Sequence, residues 1–326
     1  MNATLADPAQ LALPARKSGA GADRAFGLIT SGAAWLVLVL LGAIAISMAW
    51  GGRLAFETFG WHFVTGKDWD VVGGKFGAFV PIYGTLVTSA IALIIAVPVS
   101  IGIALFLTDI APRWTRGPIA IAIELLAAIP SIIYGMWGLF IFAPFMAAHV
   151  EPWLSDHLGD KAVIGPLFNG PPIGIGMLTA GIVLGIMVIP FISSVAREVF
   201  SAVPAPLKES AVALGSTRWE ILSRVTLPYT RSAVIGAIFL GLGRALGETM
   251  AVTFVLGNSH DLSASLLMPS NSIAAAIANE FTEADTDLYR SSLIALGFLL
   301  FVVTFIVLTI AKLMLLRINK QMGRTN

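Results

Sequence analysis

The chain reads as an all-α integral membrane protein with six transmembrane helices, and three observations say so. Hydrophobic residues make up 57% of its 326 positions against 12% charged, and mean hydropathy is +0.86, a balance foreign to water-soluble domains. Apolar runs long enough to cross about 30 Å of hydrocarbon, roughly 20 residues each, recur along the whole length. The basic residues gather in alternate loops, as the positive-inside rule requires of a multi-pass protein. Backbone in hydrocarbon must satisfy its own hydrogen bonds, so each apolar run is expected to be a helix.

Taken in order, residues 1–27 are rich in Ala, Pro and Gly without an apolar period and read as a disordered cytoplasmic tail. The first span is expected at residues 28–50. Its uncharged run is too long for a signal-peptide core and no small-x-small site follows, so it reads as a retained anchor. An outer segment then carries Phe56, Phe59, Trp61, Phe63 and Trp69, amphipathic aromatics suited to the membrane interface. With the first span it makes a unit over residues 28–83.

Five further spans, at residues 85–107, 119–146, 173–196, 233–256 and 291–315, form a core over residues 84–316, and residues 317–326 make a basic cytoplasmic tail. Pro98, Pro130, Pro144 and Pro190 fall inside apolar runs, where each frees a carbonyl and bends its helix. The outer loop at 147–172 is built of turn-formers. The outer loop at 257–290 is acidic, with Asp261, Glu280, Glu283, Asp285 and Asp287, and reads as a solvated or partner-orienting face. Within it a short helix is expected at 272–281, capped by Asn271 or Ser272.

Placing the amino terminus inside puts Arg16, Lys17, Arg24, Arg113, Arg116, Lys208, the central-loop arginines and the tail on one side, against Arg53, Lys67, Lys75, Lys161 and Arg290 on the other. Both termini are therefore expected in the cytoplasm. The absence of cysteine excludes disulfides and thiolate metal sites, and the four histidines are scattered. The lysines that follow glycine, Lys67 and Lys75, precede Asp68 and Phe76 rather than a hydroxyl residue, so no P-loop is present. No cofactor, covalent catalysis or nucleic-acid partner is expected of this chain.

The most specific segment is residues 208–228, KESAVALGSTRWEILSRVTLP. Pro204 and Pro206 can open a helix in which Glu209 stands in the first turn, favoured there by the helix dipole. Ala211 and Gly215 are spaced i,i+4 and would leave a notch of two small side chains on one face. Ser216 or Thr217 can cap a second short helix, which Pro228 closes. Glu209, Ala211, Gly215, Val225, Leu227 and Pro228 stand at the offsets of the signature E-A-A-x3-G-x9-I-x-L-P, with Ser210 and Val225 as similar-sized departures. The loop that holds it, residues 197–230, resembles the cytoplasmic coupling loop of ABC importer permeases.

Well within the spans only Glu124, Arg244 and Glu248 are charged, each costing about 2.5–3.5 kcal/mol at a helix centre, so they should face the interior, a cavity or one another. Arg244 and Glu248 are i,i+4 in GLGRALGETMAV and are expected to share a face. The guanidinium fork suits an oxyanion, with Glu248 holding it until an anion competes. A buried pair that only fixes helix register is the bland alternative. Glu124 could meet Arg244 or balance the pathway, close to Ser131 and Tyr134.

GRALGETMAV at 243–252, ELLAAIPSIIYGMWGLF at 124–140 and GTLVTSAIALIIAVP at 84–98 are similar to the permease subunits of phosphate-specific ABC importers. That resemblance implies a type I (MetI-like) ABC permease core moving inorganic phosphate, with a path at Arg244, Glu248, Glu124, Ser131 and Tyr134. It also implies partners: a PstA-like second permease, a PstB-like ATP-binding dimer that carries ATP and magnesium, and a PstS-like periplasmic phosphate-binding protein, all around a lipid-embedded chain. A PstA-type sister or a sulfate, molybdate or phosphonate permease would share the coupling segment. A secondary anion transporter would have no need of it.

Overall fold

The computed structural model describes residues 20–322; the tail expected before residue 20 and the last four residues lie outside them. In chain order the elements are α1 (Ala20–Gly51), α2 (Arg53–Phe59), α3 (His62–Thr65), β1 (Trp69–Asp70), β2 (Lys75–Phe76), α4 (Phe79–Leu105), α5 (Arg113–Ala128), α6 (Ser131–Trp137), α7 (Ala143–Phe145) and α8 (Glu151–Leu158). There follow α9 (Met177–Ser201), α10 (Ala205–Ala213), α11 (Arg218–Ile221), α12 (Leu227–Leu246), α13 (Met250–Leu256), α14 (Ile273–Glu280) and α15 (Asp287–Met322). Among the described residues, six helices are long and apolar enough to cross a membrane.

The chain divides into two units, residues 1–48 and 49–326. The first carries most of α1, which is already helical at Ala20, so residues 20–27 are helix where a disordered tail is expected.

In the second unit, α4 and α9 make the central pair. Ala92 and Ala96 of α4 and Val183, Leu184, Met187 and Val188 of α9 lie in one buried cluster, and Ser100 Oγ donates to the Ile189 carbonyl at 3.1 Å. Small residues on α4 let the two helices approach closely, the packing mode that membranes favour.

Two expected spans are broken near their middles. The run at 119–146 ends as α5 at Ala128 and resumes as α6, with Ile129 and Pro130 extended between them. It then continues outward through wide π turns at Gly138–Phe142 and Met146–Val150 to Leu158. Pro130 has no N–H for the Leu126 carbonyl, and that carbonyl instead accepts from the Tyr134 hydroxyl at 2.9 Å. The run at 233–256 ends as α12 at Leu246 and resumes as α13 after Gly247, Glu248 and Thr249. The two outer pieces, α6 and α13, are in close contact at Gly135, where a Cβ would stand 2.8 Å from the Phe254 ring and 2.9 Å from the Met250 carbonyl.

The outer aromatic segment is a packed cap rather than a line of interfacial anchors. Phe63 is fully buried, Phe56 meets it edge-on at 5.5 Å, and Phe76 stacks on Tyr289 of α15 at 5.2 Å; Trp61 alone of the expected anchors stays largely exposed. Glu280 is not part of a solvated acidic face. Its carboxylate accepts from Trp69 Nε1 at 2.8 Å and Tyr289 Oη at 2.7 Å and pairs with His260 Nε2 at 2.7 Å, while the His260 ring stacks on Trp69 at 5.1 Å. The short helix forms as α14, with Ser272 as the cap accepting from Ala275 N at 3.2 Å. Glu151, fully buried, accepts from Gly174 N at 2.8 Å and so ties the loop before α9 to the outer end of the third span.

Replacing Tyr134 with Phe leaves the Leu126 carbonyl with Ile129 N at 3.3 Å as its remaining contact. The expected cost is about 1–3 kcal/mol, read as a lower thermal midpoint of the detergent-solubilised protein; an unchanged midpoint would show the bridge to be dispensable. Burial alone raises the pKa of Glu280, but hydrogen bonds from His260, Tyr289 and Trp69 outweigh it and hold the carboxyl below its ordinary value. A carboxyl depressed in the folded state stabilises above its unfolded pKa and loses that contribution as pH falls through the folded value. Proteolysis of the 257–286 segment should stay slow down through the ordinary Glu range of about 4.3 and quicken only below it. Glu280→Gln should be cut faster at neutral pH and lose that acid step; identical profiles would rule the clasp out.

Candidate functional site

The breaks decide where the intramembrane charges go. Arg244 stands in the last turn of α12. Beyond it the chain tightens, with Glu248 N bonding the Ala245 carbonyl at 3.3 Å, and leaves the helix before Glu248 is reached. Arg244 and Glu248 are therefore not on one helix face, and among the described residues no ion pair joins them. Glu248 turns to the start of α13, where Oε1 accepts from Ala251 N at 3.3 Å, an acid at a helix N-terminus as the dipole favours. Arg244 lies instead over the Phe191 ring of α9, Cζ 5.8 Å from its centroid, within cation–π reach. It is exposed in the isolated chain. Ser131 opens α6 directly after Pro130.

Glu124 does not meet Arg244. Its Oε1 binds Arg197 Nη2 at 2.7 Å, bridging α5 to α9. Arg197 is the residue that the sequence reading missed, because the apolar run stops at Ala196 and Arg197 counted as loop. α9 continues through it to Ser201, and the signal was there in Phe200, an aromatic on helical period that is fully buried.

The coupling segment is α10, a turn and α11. Glu209 falls in the second turn of α10, not the first, and is exposed. Gly215 is outside the helix with φ +82°, so it and Ala211 do not form a notch on one helical face. They close the helix instead: Gly215 N bonds Val212 O at 2.9 Å and Ser216 N bonds Ala211 O at 3.0 Å, the paired C-terminal closure that a left-handed glycine permits. Thr217 caps α11 in a reciprocal box with Glu220.

Pro228 does not end α11, which runs on through a π turn at Leu222–Thr226 into α12, with Pro228 in the first turn. Val225 is half-buried, and Leu227 packs on Ala104, Ala196, Phe200 and Val234. Lys208 binds Asp109 at 2.7 Å, fastening α10 to the end of the second span. Leu214 is 88% and Trp219 71% exposed, and Val212 and Leu207 are exposed beside them, so this otherwise capped and anchored segment carries large apolar side chains without cover in this chain.

Residues 96–320 match the family described as binding-protein-dependent transport system inner membrane component. The phosphate transport system permease protein PstC of Xylella fastidiosa strain Temecula1 is 61% identical over 304 residues, covering 93% of this chain and 94% of that protein. PstC of Mesorhizobium japonicum is 54% identical over 322 residues, covering 96% and 98%, and PstC of Pasteurella multocida strain Pm70 is 57% identical, covering 88% and 90%. Among solved structures, a chain of a bacterial alginate ABC transporter aligns with a TM-score of 0.56 at 20% identity over 90% of this chain and 98% of that one, a likeness of fold alone. The chain thus belongs to the inner-membrane components of binding-protein-dependent transport systems and, within them, to the phosphate permease family PstC.

Proposed function

We propose that this chain is the transmembrane permease subunit of an ATP-driven importer that carries inorganic phosphate from the periplasm to the cytoplasm. The observation that carries the reading is the whole-length likeness to PstC proteins. The geometry supports it with a guanidinium set at the break of a span, over an aromatic ring and, among the described residues, in no ion pair. Arg244 would receive the anion, and Tyr134 and Ser131 would border its path.

The subunit performs no covalent chemistry in this reading. A PstA-like permease would cover the exposed Arg244 and Glu124, because charges in a span cannot be left to lipid. A PstB-like ATPase dimer, holding ATP and magnesium, would seat on the segment from Glu209 to Pro228, with Leu214 and Trp219 as its apolar contacts. A PstS-like protein would deliver phosphate to the outer cap. Both termini would then be cytoplasmic, and the membrane would be the bacterial inner membrane.

In proteoliposomes holding the full complex, labelled phosphate should enter only with ATP and the ATPase, and excess sulfate should not compete. Uptake without the ATPase would sink the ABC reading, and competition by sulfate the phosphate one. Arg244→Gln should reduce uptake at least about tenfold, the scale of a lost charge-assisted hydrogen bond, while the complex still co-purifies. Gly215→Val forces a β-branched residue to positive φ at a cost of about 1–3 kcal/mol. It should weaken ATPase co-purification and abolish uptake with membrane insertion intact; normal coupling in that variant would refute the docking role.

A further inference from the structure

The Glu124–Arg197 pair is unexplained by the fold. α5 buries none of its residues within this chain, so the ion pair is not filling a core. It borders a small pocket whose other walls are Leu107, Ala120, Ile123, Ser193 and Ser194. Charges in such apolar company are retained where they face a partner chain or an aqueous path.

The pair is also open. The contact is a single one, Nη2 to Oε1 at 2.7 Å, and the side chains remain 28% and 54% exposed, whereas a locked Arg–carboxylate pair is commonly bidentate. Ser193 and Ser194 have committed their hydroxyl hydrogens to the Pro190 and Phe191 carbonyls, at 3.1 and 2.9 Å. Arg197 is therefore the donor that an anion would meet here. It lies on the same helix as Phe191, the ring beneath Arg244, and six residues closer to the coupling segment, about 9 Å at the helical rise.

We propose that Arg197 is a second oxyanion-binding group, one step beyond Arg244 towards the coupling segment, and that Glu124 is its internal counter-ion. An arriving phosphate takes the guanidinium from Glu124, and re-formation of the pair expels the anion. Glu124 thus drives release, and Arg197 gives the anion a resting place between Arg244 and the far side. The inference rests on the phosphate reading and adds a second position to it.

The test uses the reconstituted complex, with uptake of labelled inorganic phosphate, its equilibrium retention by the purified complex, and thermal midpoint measured together. Arg197→Gln should lower both uptake and retention about tenfold or more. Glu124→Gln should lower uptake while raising retention, because nothing then competes for Arg197. The double variant should behave like Arg197→Gln, and Arg197→Lys, which keeps the charge and the partner but loses the fork, should recover part of the uptake. A pair that only pins α5 to α9 predicts something else: both single variants lose thermal stability with no rise in retention, and the double neutral variant regains uptake. That pattern, or normal uptake in Arg197→Gln, overturns the relay and leaves the phosphate reading standing; failure of the unmutated complex to import phosphate would instead overturn the phosphate reading.

Discussion

A backbone polar group that loses its partner inside hydrocarbon must find another, and this requirement shapes both broken spans. Pro130 takes away the donor due to Leu126, and the phenol of Tyr134, one turn into α6, takes its place. The fifth span breaks at Gly247, where the carboxylate of Glu248 accepts from the new helix at Ala251 N. Each break is thus repaired by a side chain next to it in sequence. The outer pieces can then pack at Gly135, which has no room for a Cβ.

The repair redistributes charge. Glu248, committed to α13, is not available to Arg244, and Glu124, committed to Arg197, is not available either. The remaining cation sits over Phe191, an aromatic face that attracts a guanidinium without neutralising it. Unlike a carboxylate, the ring leaves that positive charge in place.

The coupling segment is fastened to the spans at two places. Lys208 binds Asp109 beyond α4, and Leu227 packs against Ala104 of α4, Ala196 and Phe200 of α9 and Val234 of α12. The π turn at Leu222–Thr226 carries α11 into α12 without an intervening loop. A push on α10 or α11 would therefore reach α4, α9 and α12 together, and α9 and α12 are the helices that hold Phe191, Arg197 and Arg244. On the opposite face, the cap around Glu280 joins the hairpin, the His260 loop, α14 and α15 through one half-buried carboxylate.

The sequence by itself determined the membrane class, the six spans and the EAA-type segment, because each of these rests on local composition or fixed spacing: apolar runs of bilayer length, basic residues gathered in alternate loops, and a signature whose residues stand at set offsets. It also marked Glu124, Arg244 and Glu248 as unusual, since charge in an apolar run is visible without a fold. Which charge meets which could be decided only by tertiary structure. Sequence spacing placed Glu248 one turn from Arg244, but the helix ends between them; Arg197 looked like loop, but α9 carries it to Glu124, 73 residues away. Whether a glycine or proline breaks a span depends on whether neighbouring helices can take over the freed hydrogen bonds and fill the space, and those neighbours are distant in the chain.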